Sequence, residues 1–476
     1  MAQYEHGIGL LLDAIGGKAA HAPDVGELRD RIVELAAVVR DAERLGDSNE
    51  FRLQRNSLVS DVNRLALDVA GLSFPELCGL GVSYADWRQA EPWLSQALNP
   101  AEFSIFTDQW SAGFTGRQWL IDEIAGKVNG DEPTAESGYL ILTAGPGWGK
   151  TAVVAELVRR QRWIHHYLSD GLNAGRALLE SVCAQLIVTY RLAASGPLYV
   201  EDQPLKRLYE VLEAVAADRS GWPVVILIDG LDQTAPGFAR FLPKQLPRGV
   251  FFVVTTRPEG TMARPLSFAA PTEAIALDHP ERAARNAEDV ASFIAGFISA
   301  NGEMPGRIGA LGMDRASFTA EALARGEANF LYTKLLLKDI LAGRLTIAGL
   351  DRGALPGGLE SYYAICWERM QERAGADFER RYLPVAASLV SSARPRTVSW
   401  LVGDTGLSLR EVMLVLDAWQ PFFVPAVPGS AESWRVYHTS FRDFLRGRVG
   451  LEPHQRRTAR QIAARYGLDS EADEWS

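Results

Sequence analysis

Tyr139-Leu-Ile-Leu-Thr-Ala-Gly-Pro-Gly-Trp-Gly-Lys-Thr151 is the stretch that decides how this chain folds. An apolar β-type run over 139–143 enters a glycine-rich loop, and Gly149-Lys150-Thr151 opens a helical stretch over 152–158. Strand, glycine loop and helix, in that order, make a phosphate-binding loop, or P-loop. Gly145, Gly147 and Gly149 let backbone N–H groups wrap an anion, and the helix N-terminus adds the positive end of its dipole. Lys150 would then reach the β- and γ-phosphates of a nucleotide, and the Thr151 hydroxyl would ligate Mg²⁺. Ala144 stands at the first motif position, where glycine is usual. The whole chain has 7 lysines, so finding one at this position argues against a chance glycine turn.

Outward from this loop, the composition is that of a multidomain globular protein. A length of 476 residues corresponds to about three domains, and 47% hydrophobic residues suffice for packed cores. Cys78, Cys183 and Cys366 are far apart in sequence and form neither a metal pair nor a disulfide framework, which fits a reducing compartment. The net charge of -10 argues against broad nucleic-acid binding but leaves room for a local basic face. The first residues lack the basic and apolar regions of a signal peptide, and no apolar run is long enough to span a bilayer. A cytoplasmic location with no membrane partner is the expectation.

Residues 1–95 read as a helical module. Leu28, Ile32, Leu35, Val38 and Val39 recur at helical spacing, Leu58, Val62, Leu65, Leu67 and Val69 form a second apolar set, and Gly46-Asp-Ser-Asn49 reads as the turn between them. The module carries no nucleophile–base pair and no metal set, so it is either a structural appendage or an interaction module. Residues 96–284 alternate strands and helices: strands are predicted at 162–168, 222–229, 249–256 and 274–277, and helices around 174–193 and 203–218. Continuous apolar strands in such alternation imply a parallel sheet covered by helices. His165 and His166 fall on the first of these strands, one of them expected to face the core. Residues 285–375 read as a helical domain, with amphipathic stretches at 289–300 and 330–341. In 376–450, short helices precede β-type runs at 422–425 and 434–437 around a Pro428-Gly-Ser-Ala turn, which is the pattern of a winged helix. Residues 451–476 read as a linker.

Two further motifs carry chemistry. Val224-Val-Ile-Leu-Ile-Asp-Gly-Leu-Asp232 is a buried strand ending in an acid. P-loop enzymes hold Mg²⁺ in this way, with Asp229 as the ligand, and Asp232 is placed to orient an attacking water. An Asp after a strand is also a common turn or cap residue, and the upstream P-loop is what favours the metal reading. Thr255-Thr-Arg-Pro258 ends the next strand at the same sheet edge, where ligands bind in open α/β sheets. Arg257 is either a reader of the γ-phosphate or a surface arginine.

Phe114-Thr-Gly-Arg117, the P-loop, Ile228-Asp-Gly-Leu-Asp232 and Thr256-Arg-Pro258 occur in the order of STAND-class NTPases of the NACHT type, which the chain resembles over roughly 110–450. Ala328-Asn-Phe-Leu-Tyr332, Leu355-Pro-Gly-Gly-Leu359 with Tyr362, and Tyr437-His-Thr-Ser-Phe-Arg-Asp-Phe-Leu445 resemble that family's helical and winged-helix segments. The resemblance implies an α/β P-loop NTPase core with an N-terminal helical module and C-terminal helical plus winged-helix domains. It implies a signalling switch that rests bound to ADP, exchanges ADP for ATP on an unknown trigger, and self-associates to activate an effector protein. Bacterial members of the family act in antiphage defence or regulated cell death. By position, Phe114 and Arg117 would contact the adenine, and His438 would reach the β-phosphate and lock the closed state. The alternative for His438 is a packed histidine beneath Phe441 and Phe444.

Two departures from the pattern bear on function. Gln233 stands where the family has an acid after Asp-Gly-Leu-Asp, so hydrolysis is expected to be slow or to rest on Asp232 alone. Ala328 stands where a glycine is usual. The family normally continues into a WD40 or TPR sensor, so the chain reads as a fragment or a short member. Two other functions stay open. One is a transcription regulator using the winged helix on DNA, with Arg435, Arg442, Arg446, Arg448, Arg456, Arg457 and Arg460 as the basic set. The acidic total counts against DNA as a partner. The other is a nucleotide-binding scaffold that does not hydrolyse.

Overall fold

The computed structural model describes residues 23–45, 114–129, 137–168, 174–190, 192, 196–217, 223–235, 237–258, 270–345, 355–391, 395–420, 422–426 and 431–448, with scattered residues before 114. Contacts divide the chain into two units: 1–145 with 150–279, and 280–476 with the four loop residues Pro146–Gly149.

In the first unit, five strands form one parallel sheet: β1 (Gly138–Thr143), β2 (Ile164–Tyr167), β3 (Val224–Asp229), β4 (Val250–Thr256) and β5 (Thr272–Ala276), in the order β2-β3-β4-β1-β5. Every residue of β3 and β4 is buried, which explains their unbroken apolar sequences: a parallel strand covered on both faces has no polar side. The helix Gln118–Asn129 precedes β1, Lys150–Gln161 connects β1 to β2, and Ala174–Thr189 and Lys206–Ala217 lie between β2 and β3. One apolar core joins the central strands to Leu178, Val182, Leu186, Val211 and Leu212 of the latter two helices. β5 is the exposed edge and begins at Thr272, two residues ahead of the predicted 274–277, because its opening Thr272-Glu273 is polar.

β2 departs from expectation. Both His165 and His166 are buried, although alternation suggested that only one would face the core. The His165 ring Nδ1 lies 3.1 Å from the Trp163 carbonyl oxygen, and the Gln185 side chain brackets the His165 backbone on both sides, accepting from its N–H and donating to its carbonyl. Burial lowers the His165 pKa to about 4 and that of His166 to about 3.

Near the N-terminus, the helix Pro23–Leu45 buries Leu28, Ile32, Leu35 and Val39 in a small cluster with Val59, Val62 and Leu65. The predicted turn at 46–49, Leu67, Val69 and Cys78 lie outside the described residues, as does 451–476.

The second unit is helical with a small sheet. The helix Pro280–Ala300 starts well before the predicted 289, since its first turns are polar and show no apolar stripe. The helices Met304–Gly309, Arg315–Arg325, Phe330–Leu341 and Gly358–Ala374 follow. Beyond them come a helix Leu383–Val390, β6 (Arg396–Thr397), helices Val398–Thr405 and Leu409–Ala418, then β7 (Phe423–Pro425) and β8 (Ser433–Val436), and a last helix Thr439–Arg446. The three strands pair antiparallel in the order β6-β8-β7. An aromatic cluster binds these pieces: Phe441 stacks on Phe422 with ring centroids 4.3 Å apart, Tyr363 meets Phe441 edge-on at 5.0 Å, and Trp419 stacks on Phe423. Among the described residues no helix is long and apolar enough to cross a membrane.

Candidate functional site

Parallel strands bring their C-terminal ends to one edge, so β1, β3 and β4 deliver the P-loop, Asp229 and Thr255-Thr256-Arg257 side by side. β4 lies between β1 and β3, with Thr256 opposite Thr143 and Val254 opposite Ile228. The strand carrying the lysine loop and the strand carrying the acid are therefore not neighbours, and β4 contributes the residue that joins them.

That residue is Thr255. Its hydroxyl donates to Asp229 Oδ1 at 2.6 Å and accepts from the Gly230 N–H at 2.9 Å. The Thr151 hydroxyl donates to the other oxygen, Asp229 Oδ2, at 2.8 Å. Burial raises the Asp229 pKa, opposed by these two hydroxyl bonds and by the charge of Lys150. Gly230 takes a left-handed conformation, φ 86°, that turns the chain out of β3 into a single 3₁₀ turn, Leu231–Gln233.

Lys150 begins the helix Lys150–Gln161 and donates to the Ala144 carbonyl at 2.7 Å and the Gly145 carbonyl at 3.0 Å. Burial lowers its pKa, while the charges of Asp232 and Asp229 act in the opposite direction. Asp232 and Arg257 are brought together as an ion pair, Nε to Oδ2 at 2.8 Å. The Asp232 carboxylate is largely shielded, and Gln233 beside it is half-buried.

The glycine-rich loop has the geometry its glycines require. Gly147 and Gly149 sit at φ 80° and 81°, where a side chain is strained. A Cβ at Gly147 would also run into the side chains of Asn329 and Leu331. The donor set suits Mg²⁺: a threonine hydroxyl and a carboxylate within hydrogen-bond reach are hard oxygen donors, and the ion habitually keeps most of its shell for water and phosphate. Among the described residues, no group of three or more His, Cys, Asp or Glu side chains forms a closed metal cage.

Arg117, assigned to the adenine by resemblance, is 2% exposed, holds φ 61°, and lies with its guanidinium 5.8 Å from the Trp119 ring centroid. Its carbonyl accepts from the Leu120 and Ile121 N–H groups at the start of the helix Gln118–Asn129. Phe114 is half-buried, and its N–H donates to the Ser111 carbonyl. His438 belongs to the second unit. It is the N-cap of the helix Thr439–Arg446, its Nδ1 accepting from the Ser440 N–H at 3.1 Å and lying 2.7 Å from the Ser440 hydroxyl. A neutral His438 with Nδ1 so engaged carries its proton on Nε2, which makes Nε2 a donor. Ser440 in turn meets the Tyr363 hydroxyl at 2.9 Å.

Two residues within the quoted motifs had no role in the sequence reading. Thr255 holds Asp229, and Asn329 binds the P-loop backbone. For Asn329 there was a signal: a cap-type residue directly before an apolar helical run.

No protein-family model matches the chain, and no curated protein matches it. Among solved structures, one described as "Structure of Drosophila ORC bound to DNA" is similar at 13% identity, covering 75% of this chain and 96% of that chain, with a TM-score of 0.30. A TM-score that low gives the likeness no weight for fold or function.

Proposed function

We propose that the chain is an ATP/ADP-binding switch with slow ATPase activity, acting in the cytoplasm. The observation that carries this reading is the bond between Thr151 of the P-loop helix and Asp229 at the end of β3, with Lys150 beside them. Lys150 would act as a point charge on the β/γ-phosphates, and the loop N–H groups would bind their oxygens. Thr151 and Asp229 would hold Mg²⁺, which neutralises charge on the phosphates and orients them.

Slow hydrolysis follows from two features. Asp232, the carboxylate that would orient water, is spent on Arg257, and either partner would act on a γ-phosphate only by giving up part of that pair. Gln233 cannot serve as a base in its place. A site that binds tightly and turns over slowly suits a switch.

The resemblance to NACHT-type STAND NTPases extends this reading to self-association on activation, recruitment of an effector through residues 1–95, and a role in bacterial antiphage defence or regulated cell death. The element order of residues 383–436, helix, strand, two helices and two strands, supports a winged helix there. Part of its basic set is withdrawn from solvent, while Arg446 is exposed. Arg442 is buried, burial lowers the Arg435 pKa, and Arg456, Arg457 and Arg460 lie outside the described residues.

The test is mass spectrometry of small molecules released from the purified, denatured protein. ADP is the expected result. A protein that carries no nucleotide and takes up none when ATP or ADP is added with Mg²⁺ would overturn the reading.

A further inference from the structure

The loop segment Pro146–Gly149 packs with the residues around Asn329. Asn329 is the N-cap of the helix Phe330–Leu341 and uses both ends of its amide. Its Oδ1 accepts from the Tyr332 N–H at 3.1 Å, which is ordinary capping. Its Nδ2 donates to the Pro146 carbonyl at 2.8 Å, which capping does not require. Two residues on, the Leu331 N–H, which has no partner within its own helix, donates to the Gly147 carbonyl at 3.1 Å. Two successive loop carbonyls are thus tied to one helix start.

A trans peptide is planar, with its C=O and N–H pointing in opposite directions. Fixing the Pro146 carbonyl therefore turns the Gly147 N–H the other way, and fixing the Gly147 carbonyl does the same for the Trp148 N–H. These are loop N–H groups of the kind that wrap a phosphate. Glycine-rich backbone is otherwise free to rotate its peptides, and aligning them on binding costs conformational entropy. Asn329 is 8% exposed, and Gly147 leaves it room, since any Cβ there would collide with the Asn329 amide.

We propose that Asn329 is a positioning residue for the nucleotide, acting through the P-loop: its amide N–H, together with the Leu331 N–H, holds the two loop carbonyls outward so that the Gly147 and Trp148 N–H groups face the phosphates. The proposal rests on the nucleotide-binding reading above. It assigns to Asn329 a share in phosphate affinity that does not depend on touching the nucleotide.

Two variants of the full chain separate this role from capping. Asn329→Ser keeps a good N-cap and loses the amide donor, whereas Asn329→Ala loses both. Release of a fluorescent ADP analogue is followed by stopped flow, and thermal unfolding is recorded without nucleotide. Loss of one hydrogen bond that positions the loop should speed ADP release by about two- to tenfold in Asn329→Ser. Its nucleotide-free unfolding midpoint should fall less than that of Asn329→Ala, which loses the cap as well. Wild-type release rates in Asn329→Ser would overturn the proposal and leave the nucleotide reading standing. So would faster release accompanied by a loss of nucleotide-free stability as large as that of Asn329→Ala, since Asn329 would then be a cap and nothing more. A wild-type protein that binds no ADP analogue would remove both readings together.

Discussion

The Thr151 hydroxyl and the Asp229 carboxylate meet at 2.8 Å although 78 positions separate them in sequence. Thr255 holds the other oxygen of the same carboxylate. Asp229 is thus aimed by one hydroxyl from the loop helix and one from the intervening strand, and removing either should disturb it in a distinct way. Thr255→Val leaves the buried Asp229 Oδ1 and the Gly230 N–H without their partner and should cost about 1–3 kcal/mol of stability. Urea unfolding of the nucleotide-free protein measures it, and an unchanged midpoint would mean that the carboxylate finds another donor.

Asp229→Ala should remove the Mg²⁺ dependence of ATP binding, and Lys150→Ala should abolish nucleotide retention altogether. Titration of a fluorescent ATP analogue with and without Mg²⁺ distinguishes them. Retained affinity in Lys150→Ala would show that the glycine loop is not a phosphate site.

Asp232→Asn should leave binding intact and lower turnover, because it removes a carboxylate and weakens its 2.8 Å pair with Arg257. Gln233→Glu places a second acid beside it and should raise single-turnover hydrolysis. Equal loss of binding in Asp232→Asn and Asp229→Ala would make Asp232 a structural residue.

For His438, capping and locking can be separated as they were for Asn329. His438→Ser should preserve the helix start yet release ADP faster and favour ATP-dependent self-association, while His438→Ala should also lose about 0.5–2 kcal/mol of stability. Identical ADP release in His438→Ser and wild type, measured in the same assay, returns His438 to a packing role.

The buried histidines of β2 predict an acid sensitivity. Their folded pKa values, about 4 and about 3, lie below the ordinary 6.5, so the unfolded chain binds more protons across that interval. Their stabilisation is fully present above pH 6.5 and is lost as pH falls towards 4, with a slope of up to about 1.4 kcal/mol per pH unit for each ring. Urea midpoints at pH 7 and pH 5 should differ, and His166→Asn should flatten the difference. A slope unchanged in His166→Asn would place the proton uptake elsewhere.

How much of this was legible in sequence depended on where each residue's partner lies. The helix Phe330–Leu341 coincides with the predicted 330–341, because a cap residue and an apolar run are both local signals. β3 and β4 were visible because burial on both faces writes an unbroken apolar string. The first turns of Pro280–Ala300 were hidden because polar and small residues carry no stripe, and the start of β5 was hidden because an edge strand tolerates Thr272-Glu273. Lys150, Thr151 and Asp229 were singled out by motif spacing, and the folded chain brings Thr151 and Asp229 together. Thr255 and the Nδ2 of Asn329 were not assigned, since their partners lie 26 and 183 positions away and only the folded chain brings them together.

The aromatic cluster of the second unit has an optical consequence. Trp419 is held 5.0 Å from Phe423 and within 12° of parallel, Trp367 meets Trp419 edge-on at 5.6 Å, and Tyr363 touches Phe422, Phe441 and Phe444. Chromophores fixed in one asymmetric arrangement give a strong near-ultraviolet circular dichroism band, and that band vanishes when side-chain packing loosens even if helices persist. The rings come from the helix Gly358–Ala374, from the segment entering β7 and from the last helix, so their coupled signal exists only while all three are docked. The unit therefore carries an intrinsic, label-free spectrum of its own assembly.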